Sequence, residues 1–123
     1  MKLSSRMFAM AALAALWAMP VQAKPIVVGG KNYTEQLLLA EITTQLLKKK
    51  GLEVDKRDGI GSQVLRDAQI SGQVDVYWEY TGTSLVTYNK IKDRLSAKDT
   101  YERVKELDAK LGLVWLQPSS ANN

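Results

Sequence analysis

Short apolar segments and helical segments alternate between residues 25 and 80, and this alternation limits the chain to a few topologies. The predicted strands span 25–29, 52–56 and 75–78, and the predicted helices span 34–50 and 63–71. Strands connected through helices run parallel, because each connection crosses back over the sheet in a right-handed sense. We therefore predict an α/β lobe with a mostly parallel sheet flanked by helices.

The first predicted helix carries regularly spaced apolar residues. Its apolar residues recur at helical spacing as Leu38, Leu39, Ile42, Leu46 and Leu47. Asn32 or Thr34 can cap its start, and Glu35 lies three residues after Asn32, as a capping box requires. Gly51 ends the helix.

The chain after residue 83 predicts one further helix and one further strand. We expect one or two helical turns over 84–88 and a polar loop over 89–95. A helix then begins at Ser96, with Asp99 placed to complete its cap, and ends before Gly112. The apolar run 113–116 predicts a fourth strand.

Residues 1–23 are laid out as a secretory signal peptide. Lys2 and Arg6 precede an apolar run of 13 residues, which is followed by Pro20 and a small-residue site ending at Ala23. A run of this length is short for a permanent membrane helix, which needs about 20 residues, so an uncleaved anchor is the weaker alternative. We predict cleavage before Lys24, export to the periplasm, and a mature segment of residues 24–123.

Composition excludes several kinds of chemistry. The signal segment holds two of the 17 basic residues and none of the 13 acidic ones, so the mature segment has 15 basic and 13 acidic residues. This near balance does not indicate a nucleic-acid surface. The chain has no histidine and no cysteine, so thiolate metal sites and cysteine nucleophiles are excluded. No nucleotide-binding glycine motif is present. We expect no metal, no cofactor and no catalytic residue.

The segment Asp75–Thr83 places aromatic rings where a predicted strand ends in a Thr-Gly-Thr turn. Open α/β sheets bind ligands at this edge. The alternative to ligand binding is that these rings pack in a core, as aromatic residues often do. Glu79 is the one acid in a plausible cleft, and it can instead form a salt bridge with Lys31 or remain a solvated turn residue. The glycine turns before the helices, with Lys31, favour an anionic group such as a carboxylate.

Four segments closely resemble the substrate-binding proteins of osmoprotectant ABC transporters, which take up glycine betaine, carnitine, choline and proline betaine. They are Lys31–Gln36 (KNYTEQ), Gly59–Ser62 (GIGS), Ser71–Thr83 (SGQVDVYWEYTGT) and Gly112–Pro118 (GLVWLQP). The match covers essentially the whole mature segment in order and spacing. The resemblance implies a type II periplasmic-binding-protein fold, in which a ligand is closed between two α/β lobes.

The resemblance also implies the ligand site. In this family a quaternary ammonium group lies in a cage of aromatic rings, and polar and basic groups hold the carboxylate. On that pattern Tyr80 resembles a cage tyrosine, Thr83 resembles a hydroxyl that binds the carboxylate, and Lys31 is a neighbour of the site. We do not extend the cage to Tyr77 or Trp78, because strand alternation sends at least one of them into the core. The implied partners are a quaternary amine and a transporter permease, which provides the only link to the membrane.

Family members are more than twice as long as this mature segment, so the resemblance indicates a member truncated to part of its N-terminal lobe, with the second lobe missing. Half a cage leaves most of the ligand in water, and we expect weak or absent binding by this chain alone. Two alternatives stay open. One is an exported interaction module that pairs two copies of the lobe, and the other is an exported enzyme that uses Glu79 as an acid or base.

Overall fold

The computed structural model describes residues 23–120, so the predicted signal peptide lies outside the described residues except for Ala23. Two strands and three main helices follow one another as β1 (Ile26–Lys31), α1 (Thr34–Lys49), β2 (Val54–Ile60), α2 (Ser62–Ile70) and α3 (Ala97–Ala109). A helical turn at Thr81–Thr83 continues into a π-helical segment at Ser84–Tyr88, between α2 and α3. None of the helices in this range has the length and apolar character needed to cross a bilayer.

The sheet is parallel, as the alternation predicts. β1 pairs with β2 from Ile26↔Val54 to Gly29↔Arg57, and the register then shifts before Lys31↔Ile60. On its other side β1 forms a single parallel bridge, Val28↔Val76. β1 is therefore the central member of the sheet.

The third predicted strand is reduced to that single bridge. The backbone N–H groups of Gly29 and Asp75 donate to the carbonyls of Val76 and Val27, at 2.8 and 2.9 Å. The Asp75 carboxylate accepts the N–H of Val27 at 2.7 Å. The Asp75 carboxylate thus accepts a backbone N–H that would otherwise be free to pair with a neighbouring strand, and the strand pairing does not extend.

The prediction of a fourth strand over 113–116 is wrong for the described part of the chain, where this segment pairs with no strand. It lies beside α3 instead. The Trp115 indole N–H donates to the Asp108 carboxylate at 2.7 Å, and the Leu116 carbonyl accepts the Tyr101 hydroxyl at 3.1 Å. These bonds attach the segment to the helix before it and away from the sheet.

The large apolar residues of α1 do not form its buried face. Leu38, Ile42 and Leu46 are 59%, 53% and 54% exposed, whereas the buried residues of the helix are Gln36, Ala40 and Thr44. The reason is close packing on β1, because a Cβ added at Gly30 would lie 2.9 Å from the Ala40 Cβ. No larger side chain fits at position 40 at that distance, so Leu38, Ile42 and Leu46 lie on the outer side of the helix, whereas Leu39 and Leu47 are half-buried.

The two predicted helix caps have opposite outcomes. The N-cap of α1 is Tyr33, which makes no side-chain capping bond, so the cap expected from Asn32 or Thr34 is wrong by one residue. The N-cap of α3 is Ser96, whose hydroxyl oxygen accepts the Asp99 N–H at 3.1 Å, as predicted. Gly51 has a φ of 83°, the left-handed conformation that ends α1.

A small apolar core lies between β1 and α2. It contains Val27, Leu65, Val74 and Tyr77. The prediction that strand alternation sends one ring inward is confirmed, since Tyr77 is buried there while Trp78 is largely exposed and donates to the Thr43 hydroxyl at 2.9 Å.

A second buried cluster is polar and centres on Asp108, whose side chain is fully buried. Its carboxylate accepts Arg66 at 2.6 Å, Ser84 and Asn89 at 3.0 Å, and Trp115 at 2.7 Å. Burial acts to raise the pKa of Asp108, but the hydrogen bonds from Arg66, Asn89 and Trp115 outweigh it and lower the pKa below its usual value. This Asp108 cluster joins α2, the π-helical segment, α3 and the chain after it.

Candidate functional site

The candidate site lies where β1 and the Val76 segment end at the same edge of the sheet. β1 ends at Lys31, and Glu79 and Tyr80 follow Val76 by three and four residues. The carboxyl ends of parallel strands meet at one edge, so these side chains come together as the sequence predicts. The structure adds Tyr33, the residue that begins α1.

A buried ion pair lies beside Tyr80 in the site. Lys31 Nζ lies 2.5 Å from Glu79 Oε1, and the two side chains are 2% and 6% exposed. The second oxygen of Glu79 accepts the Tyr77 hydroxyl at 2.7 Å, and Oε1 also accepts the Tyr80 N–H at 2.8 Å. The salt bridge considered for Glu79 is therefore present, and both carboxylate oxygens are engaged by the protein.

Two tyrosine rings lie next to this ion pair. The ring centroids of Tyr33 and Tyr80 are 6.3 Å apart with an interplanar angle of 27°, an offset stacked arrangement. Lys31 Nζ lies 5.3 Å from the Tyr80 centroid. The Tyr80 hydroxyl is buried and has no hydrogen-bond partner within residues 23–120. Tyr33 is 40% exposed, so this ring is open to solvent.

The electrostatics of the site oppose ionisation of Tyr33 and Tyr77. Burial, followed by the neighbouring Tyr80 and Glu79 side chains, raises the pKa of Tyr33 well above its usual value. Burial and then Glu79 raise the pKa of Tyr77 in the same direction. Tyr33 and Tyr77 therefore remain neutral phenols at physiological pH.

Thr83 lies in the helical turn that directly follows Tyr80. The turn is closed by the Ser84 N–H, which donates to the Tyr80 carbonyl at 2.9 Å. Ser84 is anchored in turn by its bond to Asp108. Thr83 is partly buried, and its hydroxyl makes no hydrogen bond within the described range. It is available to a ligand, and its role remains a prediction.

No group of three or more acidic side chains within residues 23–120 is placed to hold a metal ion. A cavity of about 650 Å³ opens at the other end of the sheet, where Pro25, Leu52 and Val54 are among the lining residues, and it contains none of Lys31, Tyr80 and Thr83. The edge with the tyrosines therefore remains the candidate.

Sequence reasoning missed Tyr33. The signal was present, because Tyr33 follows Lys31 by two residues and begins a helix at the edge where Tyr80 was expected. A short connection from β1 to α1 cannot carry a ring far from that edge. This lobe therefore places two aromatic rings at the candidate site, whereas the sequence predicted one.

Comparisons with known proteins agree with the resemblance predicted from the sequence. The family described as the substrate-binding domain of the ABC-type glycine betaine transport system matches residues 24–123. A glycine-betaine-binding protein of Pseudomonas aeruginosa is 51% identical over 102 residues, which are 83% of this chain and 33% of that protein. The glycine betaine-binding protein YehZ of Escherichia coli is 38% identical over 111 residues, covering 86% of this chain and 36% of that protein.

A more distant relative and a solved structure extend the comparison. A protein of Helicobacter pylori named as an ergothioneine transport permease and ergothioneine-binding protein, EgtU, is 36% identical over 115 residues, 89% of this chain and 20% of its own. The structure of apo YehZ from Escherichia coli matches with a TM-score of 0.76 and 38% identity, over 82% of this chain and 37% of that one.

This chain spans about a third of the length of the glycine-betaine-binding relatives it matches. The predicted type II periplasmic-binding fold and the predicted family are both confirmed. The relatives bear the names of binding and transport proteins. The chain belongs to the family of substrate-binding domains of ABC-type glycine betaine transport systems.

Proposed function

We propose that this chain is part of the periplasmic substrate-binding component of an ABC importer, and that it contributes one wall of a site for a quaternary amine. The observation that carries the proposal is the Tyr80 ring, held at the carboxyl edge of a parallel sheet beside Tyr33, 6.3 Å away. Glycine betaine and choline are the ligand type.

Aromatic faces suit this ligand because a trimethylammonium group has no N–H to donate. Ring faces are its best partners, at about 0.5–2 kcal/mol each. Relatives are named for binding glycine betaine or ergothioneine. Both compounds combine a trimethylammonium group with a carboxylate. The Tyr80 face would bind the trimethylammonium group, and a neighbouring site would bind the carboxylate.

Thr83 and Lys31 are the proposed carboxylate partners. The Thr83 hydroxyl makes no hydrogen bond within the described residues and can donate to a carboxylate oxygen. Lys31 already binds Glu79, and its side chain is almost fully buried. Because Glu79 already pairs its charge, Lys31 would hold a ligand carboxylate only by sharing its protons between Glu79 and the ligand.

The remaining walls of the cage would come from a second lobe, which supplies further rings and a basic residue. A ligand on the Tyr80 face alone stays mostly in water, since binding sites for small molecules normally enclose 70–90% of the ligand surface. We therefore expect weak or absent binding by this chain alone. Delivery to a permease would be its route to the membrane.

Self-association is the second candidate function. The exposed face of α1, formed by Leu38, Ile42 and Leu46, supports it, because large exposed apolar patches often mark interfaces. An enzyme using Glu79 is less favoured, since a general acid or base needs an oxygen free to reach the substrate and both oxygens are bound by Lys31, Tyr77 and Tyr80.

The test is a calorimetric titration with glycine betaine, choline, carnitine and proline betaine. It uses the full chain and a chimera in which the chain replaces the matching third of the Pseudomonas aeruginosa relative. We expect the chimera to bind, the Tyr80→Phe variant to retain binding, and the Tyr80→Leu variant to lose it. The Tyr101→Leu variant on α3 is the matched control.

A folded chimera that binds none of the four amines contradicts the proposed function. Full binding by the Tyr80→Leu variant contradicts the assignment of the ring. A concentration-dependent dimer of the full chain that binds no amine favours the interaction module. Circular dichroism of each protein in the titration buffer separates loss of binding from loss of fold.

A further inference from the structure

The site contains an electrostatic conflict. Lys31 Nζ lies 5.3 Å from the centroid of the Tyr80 ring, the same ring that would receive a ligand cation. Lys31 is 1% exposed, so water screens its charge poorly. A bare ammonium at this position would repel a trimethylammonium group on the ring.

Glu79 resolves the conflict through its position. Its carboxylate lies 2.5 Å from Lys31 Nζ and is 6% exposed, so the opposite charge is close and equally poorly screened. At the distance of a bound ligand the pair acts as a dipole rather than as a net positive charge. The field of a dipole falls off faster with distance than that of a single charge, and the repulsion is largely removed.

The same carboxylate fixes the ring in place. Glu79 Oε1 accepts the backbone N–H of Tyr80 at 2.8 Å, and Oε2 accepts the Tyr77 hydroxyl at 2.7 Å, so the residue that carries the ring is bonded to a group anchored in the core. Charge-assisted bonds of this kind are short and strong. Glu79 therefore sets both the orientation of Tyr80 and the charge beneath it.

We propose that Glu79 is a positioning residue that makes the Tyr80 face usable by a cation, by neutralising Lys31 and by holding the Tyr80 backbone. This inference rests on the proposed function. Glu79 does not touch the ligand. Its role is to select between ligands, because the Lys31 charge it cancels would repel an ammonium group and attract a carboxylate.

Comparison of choline with glycine betaine measures this role. Choline is a cation without a carboxylate, whereas glycine betaine has both groups. The Glu79→Gln variant keeps the side-chain shape and an oxygen for the Tyr80 N–H, but leaves Lys31 unneutralised. We expect choline affinity to fall by about tenfold or more, whereas glycine betaine loses less because the freed ammonium attracts its carboxylate. The ratio of the choline Kd to the glycine betaine Kd therefore rises.

Variants at Lys31 separate charge from structure. The Lys31→Met/Glu79→Gln double variant removes both charges, and we expect it to recover choline affinity relative to Glu79→Gln alone. The Lys31→Met single variant leaves a carboxylate near the ring, so choline affinity should be retained or raised while glycine betaine affinity falls. It also supplies the test if Glu79→Gln does not fold. Glu106→Gln, an exposed glutamate on α3, is the matched control.

The titrations use the full chain and the chimera, with circular dichroism of each variant. If Glu79→Gln loses affinity for choline and glycine betaine equally, and the double variant does not recover choline affinity, the inference is overturned and Glu79 is a structural residue. Loss of choline binding in Lys31→Met also overturns it. If the chimera binds amines through Tyr80 and only the ratio fails to change, this inference fails alone. If neither protein binds any amine, the proposed function and the inference fail together.

Discussion

Substitution of Asp108 by asparagine should destabilise the fold far more than the loss of one hydrogen bond. The carboxylate is fully buried and is paired with Arg66, whose side chain is 4% exposed. Asparagine keeps the shape and one acceptor oxygen but leaves the guanidinium without a counter-charge. Removing one partner of a buried ion pair typically costs about 3–5 kcal/mol.

That cost is large for a lobe of this size. A domain of about 100 residues has a free energy of unfolding of roughly 5–15 kcal/mol, so at the lower end the substitution removes more than half of it. With an m-value of about 1–1.5 kcal/mol/M in urea, the unfolding midpoint should fall by about 2–5 M. Urea titration of the purified chain, followed by circular dichroism, measures the change.

Two variants complete the experiment. Glu106→Gln removes one partner of an exposed pair with Arg103 and should cost less than about 1 kcal/mol. Arg66→Met combined with Asp108→Asn removes both buried charges, and it should be more stable than Asp108→Asn alone. A midpoint in Asp108→Asn equal to that of Glu106→Gln, or a double variant no more stable than Asp108→Asn alone, would refute the reasoning.

Three further predictions concern local features of the fold. The wild-type chain should lose stability as pH falls below about 4 and through the lowered folded pKa of Asp108, because the ionised carboxylate stabilises the folded state and protonation removes this effect. In an acid titration the stability of Asp108→Asn should depend less on pH. Gly30→Ala should destabilise the chain by about 1–3 kcal/mol in a urea titration, because the added Cβ meets the Ala40 Cβ at 2.9 Å, and an unchanged midpoint would disprove the close packing. Ser96→Ala should cost about 0.5–2 kcal/mol by removing the cap of α3, whereas the same change at Ser71, after α2, should cost less.

Local signals in the sequence predicted local structure well. The serine at position 96 and the glycine at position 51 mark the beginning of α3 and the end of α1 as expected, because capping depends on neighbours a few residues away. The parallel pairing of β1 with β2 followed from the alternation of strands and helices. Tyr80 and Lys31 were expected at one edge for the same reason and do lie together.

Features set by distant contacts were predicted poorly. The spacing of leucines in α1 correctly predicted a helix but did not identify its buried face, which is set by the approach of Ala40 to Gly30 on β1. The apolar run at 113–116 has the composition of a strand, but Asp108 and Tyr101 bind it along α3. Each of these outcomes depends on a partner that periodicity does not identify.

The most direct test of the account compares glycine betaine with 3,3-dimethylbutanoate, which has the same shape but a neutral carbon in place of the ammonium nitrogen. Titrated into the chimera, glycine betaine should bind at least about fivefold tighter, since each ring contributes about 0.5–2 kcal/mol to a cation. The preference should shrink in Tyr80→Leu and persist in Tyr80→Phe. Equal affinity for the two compounds, or a preference unaffected by Tyr80→Leu, would contradict recognition of a cation by the Tyr80 face.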